Sequence, residues 1–158
     1  DGCIGGPTEL DRGVLTAQKE SPLTEVGAAG FVATLSRWAF AAPSPPFQKR
    51  TARRIMAPKA TAAAKYWLSS SRDLEGSTGT MDFSAGKYYV EAFEGTTAVV
   101  SFLSAGHVAA QGATPSEVRL AGTITLRAVN GVWRLEDQAN SRSIADMDRI
   151  GVAYAGGC

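Results

Sequence analysis

Alternating apolar and polar residues in the second half of the chain predict an antiparallel sheet. Apolar side chains recur at every second position over 96–104 and 118–129, a spacing that puts neighbouring side chains on opposite faces of a strand. A weaker alternation over 87–93 predicts a first strand, which ends at a turn at Glu94-Gly95. The second strand is expected to run from residue 96 to about residue 109.

The dipeptide Asn130-Gly131 predicts a tight hairpin between the third and fourth strands. Both residues tolerate the positive φ angles that a type I′ turn requires. Alternation after this turn places Trp133 in the core and Arg134 on the outer face. The last two strands are therefore expected to lie side by side, with Trp133 anchoring the fourth.

Helical spacing dominates the first half of the chain. Ser21-Pro22 is typical of a helix start, and one apolar stripe follows it, formed by Phe31, Val32, Leu35 and Trp38. Gly27 and Gly30 in this helix suggest close packing against another element. Two more helices are predicted over 47–56 and 59–68, and the apolar stripe of the second contains Ala60, Ala63, Ala64, Trp67 and Leu68.

The predicted fold class is α+β, with N-terminal helices packed on a curved, mainly four-stranded antiparallel sheet in a cone-like arrangement. Residues 1–20 lack a sustained period and are predicted to be a lead-in segment with one helical turn near residues 15–18. Residues 21–158 are predicted to form a single domain, since the 158 residues suit one core. A short helical turn is expected near 144–150.

Composition limits the classes of partner. The formal net charge is +1, whereas nucleic-acid-binding domains usually carry a strong basic excess. Tyr88, Tyr89 and Phe93 lie in a strand without interleaved Lys or Arg, so they do not form a platform for stacking bases. Both observations lead us to expect no nucleic-acid partner.

No apolar run in the sequence approaches the ~18 residues that a membrane-spanning helix needs.

The basic residues that do cluster are Lys49, Arg50, Arg53 and Arg54. Helical spacing places Lys49 with Arg53, and Arg50 with Arg54, on one side of a helix. This patch suits an anionic membrane surface or an acidic partner, and a solvated helix face is the more common reason for such a pattern. The sequence leaves both interpretations open.

Cys3 and Cys158, the two cysteines, stand close to the two ends of the chain beside glycines. Domain termini often lie close together, so we expect a disulfide between them, which requires an oxidising compartment. The alternative is two free thiols in a cytoplasmic protein. With His107 as the single histidine, they supply too few ligands for a closed zinc site, and no metal or cofactor is predicted.

No catalytic motif is present in the sequence. It contains neither a Gly-x-Ser-x-Gly elbow nor a phosphate-binding glycine loop. General acid–base chemistry would have to use His107 or a buried carboxylate. We interpret His107 as a strand-end residue without a catalytic duty, and we do not expect an enzyme.

The order of elements, with 122–137 as the closing strands, resembles the nuclear-transport-factor-two-like or cystatin-like cone. Residues 23–33 with Arg37-Trp38 are similar to extracytoplasmic domains of actinobacterial conjugative elements. Those domains resemble the bitopic inner-membrane assembly factors of type IV secretion systems. The fold itself hosts many activities.

That resemblance implies a non-catalytic extracytoplasmic scaffold of a conjugation or type IV secretion-like apparatus. Its expected partners are other subunits of a membrane-associated transfer complex, or further copies of the chain, and an N-terminal membrane helix absent from this chain would anchor it. The alternative is a small-ligand-binding or isomerase-like cone enzyme, whose pocket would use Asp82, Tyr88, Tyr89 and Asp137. A cone filled by Trp38, Trp67 and Trp133 would favour the scaffold.

Overall fold

The computed structural model describes residues 10–41, 48–70, 78–110 and 112–155. Four helices come first, and a sheet, a fifth helix and a short last strand follow. In chain order they are α1 (Leu10–Glu20), α2 (Glu25–Phe40), α3 (Gln48–Ile55), α4 (Ala62–Ser70), β1 (Thr78–Phe93), β2 (Thr97–Ala109), β3 (Ser116–Val129), β4 (Val132–Ala139), α5 (Ile144–Ile150) and β5 (Val152–Ala153). No helix in these ranges is both long and apolar enough to span a membrane.

The predicted α+β class with N-terminal helices on a curved antiparallel sheet is confirmed, but the sheet has five strands in the order β4-β3-β2-β1-β5. The prediction of four strands was wrong, because it did not include β5. This strand contributes two residues, paired with Lys87 and Tyr88 of β1. Two residues are too few to produce a recognisable alternation.

Strand β1 begins at Thr78, nine residues before the predicted start at Lys87. Residues 78–82 pair with 105–109 of β2, and the ladder is irregular between Asp82 and Lys87. This half of β1 is rich in Gly, Ser and Thr, which are typical of loops. Tertiary pairing with β2 overrides that local preference.

The described part of the predicted lead-in segment is a helix of 11 residues, not a single turn. Val14 and Ala17 of α1 are buried in the core. The Asp11 carboxylate accepts hydrogen bonds from the Trp38 indole (2.5 Å) and the Thr51 hydroxyl (2.9 Å). These contacts attach α1 to α2 and α3 across long sequence separations, so no local pattern announces the helix.

Helix α2 starts later than predicted, because its N-cap is Thr24 and not Ser21. The Thr24 hydroxyl accepts from the Gly27 amide at 3.1 Å. A Cβ at Gly27 would lie 2.1 Å from the Pro22 carbonyl oxygen, so a glycine is needed for the chain to fold back here. Gly30, by contrast, has no atom within 4 Å of such a Cβ, so the predicted close packing holds for Gly27 alone.

The concave face of the sheet packs against the N-terminal helices. The predicted stripe of α2 is confirmed, with Phe31, Val32, Leu35 and Trp38 all buried. In the stripe predicted for residues 59–68, at α4, Ala63 is exposed and the other four residues are buried. Asn130 and Gly131 have φ angles of 53° and 78°, which confirms the tight hairpin, and Trp133 is fully buried as predicted.

Helix α5 covers the opposite, convex face of the sheet. Its N-terminus has a capping box between Ser143 and Asp146, an arrangement that satisfies two otherwise free donors. Met147 of α5 and Leu103 of β2 are buried but lie outside the main core cluster. They form a small second layer on the convex face.

The outer edge of β4 is covered by the segment between α3 and α4. The Ala57 amide donates to the Leu135 carbonyl at 2.8 Å, and the Thr61 amide donates to the Glu136 carbonyl at 2.9 Å. Met56 forms an isolated parallel bridge with Leu135. An edge strand exposes unpaired backbone groups that invite association, and this segment removes part of that edge.

Candidate functional site

A pocket of about 250 Å³ opens where α2 ends, between α4 and strands β2, β3 and β4. Its walls are mainly aromatic and aliphatic, and we call it the aromatic pocket. It is lined by Phe40, Tyr66, Trp67, Phe102, Leu120, Ala121, Gly122, Gln138 and Asn140.

The aromatic walls are held by packing between elements. The rings of Phe40 and Trp67 meet edge to face with centroids 5.8 Å apart, a favoured geometry for aromatic pairs. On the sheet side, Gly122 faces Phe102 in the strand register. A Cβ at Gly122 would lie 2.9 Å from the Phe102 ring, so the absence of a side chain lets that ring approach β3 closely.

Tyr66 stands at the rim, with 72% of the residue exposed, whereas Trp67 is 9% exposed. The polar part of the lining is an amide pair. The Gln138 Nε2 donates to the Ala139 carbonyl at 2.8 Å and to the Asn140 Oδ1 at 3.0 Å. The pocket can therefore hold an apolar group and offer a few neutral hydrogen-bonding groups beside it.

The four residues proposed for an enzyme-like pocket are not brought together. Tyr88 packs against Tyr154, with ring centroids 4.9 Å apart, while Tyr89 lies beneath Arg142 at 5.6 Å. The Asp137 carboxylate accepts from the Thr61 hydroxyl at 2.5 Å, and Thr61 caps α4 by accepting from the Ala64 amide. Asp137 thereby holds a helix cap in place.

Asp82 lies in the irregular part of β1 and accepts from the Ser84 amide at 2.6 Å. The Ser84 hydrogen bonds lower the pKa of this carboxyl, and the nearby charges of His107 and Arg37 lower it further. Burial lowers the pKa of the Arg37 guanidinium, and its Nη1 is buried without a hydrogen bond. Asp82 is thus held in its ionised form.

His107 is exposed near the end of β2, opposite Thr80 and Glu117. Within the described ranges, no three residues among His, Cys, Asp and Glu are grouped so that they could hold a metal ion. Cys3 and Cys158 fall outside the described residues, so their predicted disulfide stays a prediction.

The basic patch lies on α3, as its spacing predicts. Lys49, Arg50, Arg53 and Arg54 are exposed, and Ala52 and Ile55 face the core. Among the described residues, none of the four cations has a carboxylate within 4 Å. Four positive charges without a nearby carboxylate on one short helix create a local positive potential.

The sequence did not reveal a polar network on the convex face. The Glu91 carboxylate accepts from both the Nε (2.8 Å) and the Nη2 (2.7 Å) of Arg142 and from the Ser101 hydroxyl (2.7 Å). Ser101 also contacts the Thr123 hydroxyl at 2.9 Å. These bonds to Arg142 and Ser101 lower the pKa of Glu91.

Glu91 occupies a register irregularity in β1, between the pairs made by Val90 and Ala92. Glu136 occupies a similar irregularity in β4 and accepts from Arg127 at 2.5 Å. Bulges commonly redirect a side chain. Both bulges aim a glutamate at an arginine, so we assign these pairs to structural roles.

Sequence reasoning missed the aromatic pocket because its lining comes from five separate elements. Trp67 was expected as a core residue, and it is one, but its ring also forms a pocket wall. The one available signal was Gly122, since a glycine inside a strand often marks a close approach. Nothing in the local sequence connects Gly122 with Phe40 or Tyr66.

The sequence matches no protein-family model and no curated protein. Among solved structures, the chain is similar to the intermembrane-space region of the chloroplast protein ARC6, with a TM-score of 0.47 and 9% identity. The similarity covers 82% of this chain and 92% of that one. Similarity at this level assigns neither a family nor a function.

Proposed function

We propose that this chain is a non-catalytic assembly domain that binds another protein through the aromatic pocket. The observation that carries the proposal is the aromatic pocket itself, which has mainly apolar walls and an exposed Tyr66 at its rim. Tyr and Trp are the residues that most often dominate protein–protein binding energy. The occupant that fits is one large apolar side chain on a segment of the partner.

Size favours a side chain over a small molecule. Pockets for small ligands commonly measure about 300–1,000 Å³, and this one measures about 250 Å³. The interior of the concave face is occupied by Trp38 and Trp133, both fully buried. The room for a guest therefore lies at the surface of the cone, where a partner's side chain can enter.

The wider setting we propose is the one that the sequence resemblance implies. The domain would belong to the cone superfamily and act as an extracytoplasmic scaffold of a conjugation or type IV secretion-like apparatus. The partner segment would then come from another subunit of that complex. A stretch of about 20 apolar residues encoded directly before Asp1 would support membrane anchorage, and a polar stretch there would contradict it.

An isomerase-like activity would need an acid or base facing the guest. Among the described residues, those that line the aromatic pocket include no carboxylate, histidine, lysine or arginine. The neighbouring Asp137 is directed at Thr61 and the Gln138 amide. Among the described lining residues, Tyr66 is the one with a titratable side chain, so the pocket offers contacts for binding and no carboxylate or imidazole base.

The test is a selection of displayed random peptides on the wild-type domain, followed by fluorescence anisotropy. We expect the selected peptides to share one aromatic or large aliphatic residue. Tyr66→Ala should weaken their binding about tenfold or more, which is the scale of a central aromatic contact. Tyr66→Ala should unfold at nearly the wild-type temperature, since substitutions at exposed positions usually change stability by about 0.5 kcal/mol or less.

Val26→Ala is the matched control, because Val26 is a 70% exposed apolar residue on another helix. It should leave peptide binding unchanged. Equal effects of the two substitutions, or peptides without an apolar anchor, would contradict the proposal. Binding of indole by the wild type but not by Tyr66→Ala, with no peptide selected, would favour the small-ligand alternative.

A further inference from the structure

A second cleft lies at the other end of β4 from the aromatic pocket, between the C-terminal ends of α1 and α3 and the beginning of β4. Its volume is about 250 Å³, and we call it the cationic cleft. It is lined by Leu15, Gln18, Lys19, Arg54, Val132 and Arg134. Three of these six side chains carry a positive charge, and none carries a negative charge.

The three cations lack partners among the described residues. No hydrogen bond or ion pair joins the side chain of Lys19, Arg54 or Arg134 to another described group. The Nε of Arg134 is buried and has no hydrogen-bond acceptor. A buried donor left without an acceptor is costly, so this nitrogen marks a place where an acceptor would stabilise the protein.

An arginine of the neighbouring strand takes up the nearest acidic side chain. Arg127 of β3 stands directly opposite Arg134 of β4 in the register. The nearest acid on β4, Glu136, is engaged by Arg127 through a hydrogen bond of 2.5 Å. Glu136 therefore neutralises Arg127 and leaves Arg134 without a counter-charge.

Buried contacts hold the shape of the cleft. The side-chain amide of Gln18 donates to the Trp133 carbonyl at 2.9 Å and to the Arg54 carbonyl at 3.3 Å. These bonds fix α1 to β4 and to the end of α3. The prediction that Arg134 faces outward needs one refinement, because the ends of α1 and α3 flank it and leave the residue half-buried.

We propose that the cationic cleft binds a phosphate-type oxyanion, supplied either by a phospholipid headgroup or by a soluble phosphate ester. A guanidinium presents several donors in a plane, and this geometry matches the oxygens of a phosphate. Two arginines and a lysine suffice to balance a dianion. The anion would also accept from the unpaired Nε of Arg134 and relieve the repulsion among the three cations.

This inference is independent of the protein-binding role of the aromatic pocket. Lys49, Arg50 and Arg53 extend the positive surface along α3 from Arg54. An array of this kind would suit a surface that presents many phosphates, whereas the cleft alone would suffice for a soluble ester. Inorganic phosphate and lipid vesicles separate these two sources.

The first arm is calorimetric titration of the folded domain with inorganic phosphate. We expect saturable binding that Arg134→Gln or Lys19→Gln weakens about tenfold or more, since each removes charge-assisted contacts. Arg54→Gln and Arg53→Gln form the decisive pair. They are adjacent, both exposed on α3, and identical in charge change, but only Arg54 lines the cleft.

Arg54→Gln should therefore weaken phosphate binding about tenfold, and Arg53→Gln less than about twofold, because exposed charges outside the cleft are screened by salt. Arg134→Lys, which keeps the charge but loses the planar donors, should fall between wild type and Arg134→Gln. Equal losses in the two α3 variants, or no saturable binding by the wild type, would overturn the proposal.

The second arm is sedimentation with phosphatidylcholine vesicles, with and without phosphatidylglycerol. Binding only to the anionic vesicles, lost in Arg54→Gln and retained in Arg53→Gln, identifies a lipid headgroup as the source. Saturable phosphate binding without vesicle binding identifies a soluble phosphate ester. Vesicle binding that both variants weaken equally, in the absence of saturable phosphate binding, would contradict a cleft and indicate a diffuse charge effect.

Discussion

The two faces of the sheet are built by different physics. The concave face is covered by α2 and α4 and filled with large apolar side chains, among them Trp38, Trp133 and Phe31. The convex face has one short helix, α5, and a network centred on Glu91 and Arg142. Its apolar layer is limited mainly to Leu103 and Met147, both fully or nearly fully buried.

This difference shows how stability should be distributed over the molecule. Burial of a large apolar side chain contributes about 1.5–3 kcal/mol, so the concave face should carry most of the free energy of unfolding. The convex face combines a small apolar contribution with charge-assisted hydrogen bonds, which depend on pH. Substitutions on the two faces should therefore differ both in size and in their response to acid.

The largest effect is expected from Trp133→Ala on the concave face. Trp133 is fully buried, contacts Phe93 at a centroid distance of 6.4 Å, and donates from Nε1 to the Pro22 carbonyl at 3.0 Å. Loss of the ring and of this bond should reduce the free energy of unfolding by about 3–5 kcal/mol. Urea unfolding monitored by far-UV circular dichroism measures the change.

Trp133→Phe serves as the control, because it keeps most of the apolar volume and removes the indole donor. The lost hydrogen bond should cost about 0.5–1.5 kcal/mol, the usual net contribution of one such bond, because the Pro22 carbonyl still accepts from the Thr24 amide at 2.8 Å. A Trp133→Ala cost of less than about 1 kcal/mol, typical of surface positions, would place the ring outside the core and contradict the register of β4.

The next effect is expected from Met147→Ala on the convex face. Met147 of α5 is fully buried between this helix and the sheet. Its truncation to alanine should cost about 2–3 kcal/mol, the lower part of the range for buried methionine. Because α5 is a separate layer, hydrogen exchange should accelerate most in residues 144–150 and less in β2 and β3. Uniform acceleration through the sheet would show that the two faces unfold as one unit.

Several concave-face features could be predicted from sequence because their signals are local. The hairpin follows from Asn130-Gly131, and the burial of Trp133 and Leu135 follows from alternation after that turn. The stripe of α2 follows from helical spacing. In these cases the residue pattern and the tertiary packing favour the same structure.

Other features depend on contacts that no local pattern encodes. Helix α1 is attached through Asp11 to residues 27 and 40 positions away. The first half of β1 is composed like a loop and becomes a strand only by pairing with β2. On the convex face, Arg142 reaches Glu91 across 51 residues.

The candidate sites were less predictable than the fold. The basic residues of α3 were found from their spacing, but the cationic cleft also needs Lys19 and Arg134 from α1 and β4. The aromatic pocket likewise combines residues from five elements. Asp82, Tyr88, Tyr89 and Asp137 were chosen by residue type alone, and strand register with local hydrogen bonds keeps them apart.

The smallest effect is expected from Glu91→Gln, and its pH dependence sharpens the contrast between the faces. The bonds from Arg142 and Ser101 hold the pKa of Glu91 below its ordinary value, so its ionised form stabilises the folded state. Glu91→Gln should cost about 1–2 kcal/mol at pH 7, toward the lower end for hydrogen bonds to a charged group because the pair is partly exposed.

A group with a lowered folded pKa contributes fully to stability above its unfolded pKa and loses that contribution as the pH falls through the folded pKa. The cost should therefore shrink below about pH 5 and vanish once Glu91 is protonated in both states, whereas the Met147→Ala cost should stay constant. Urea unfolding of wild type and both variants across this range gives the two differences, and a Glu91→Gln cost that is independent of pH would exclude a stabilising role for the Glu91 charge.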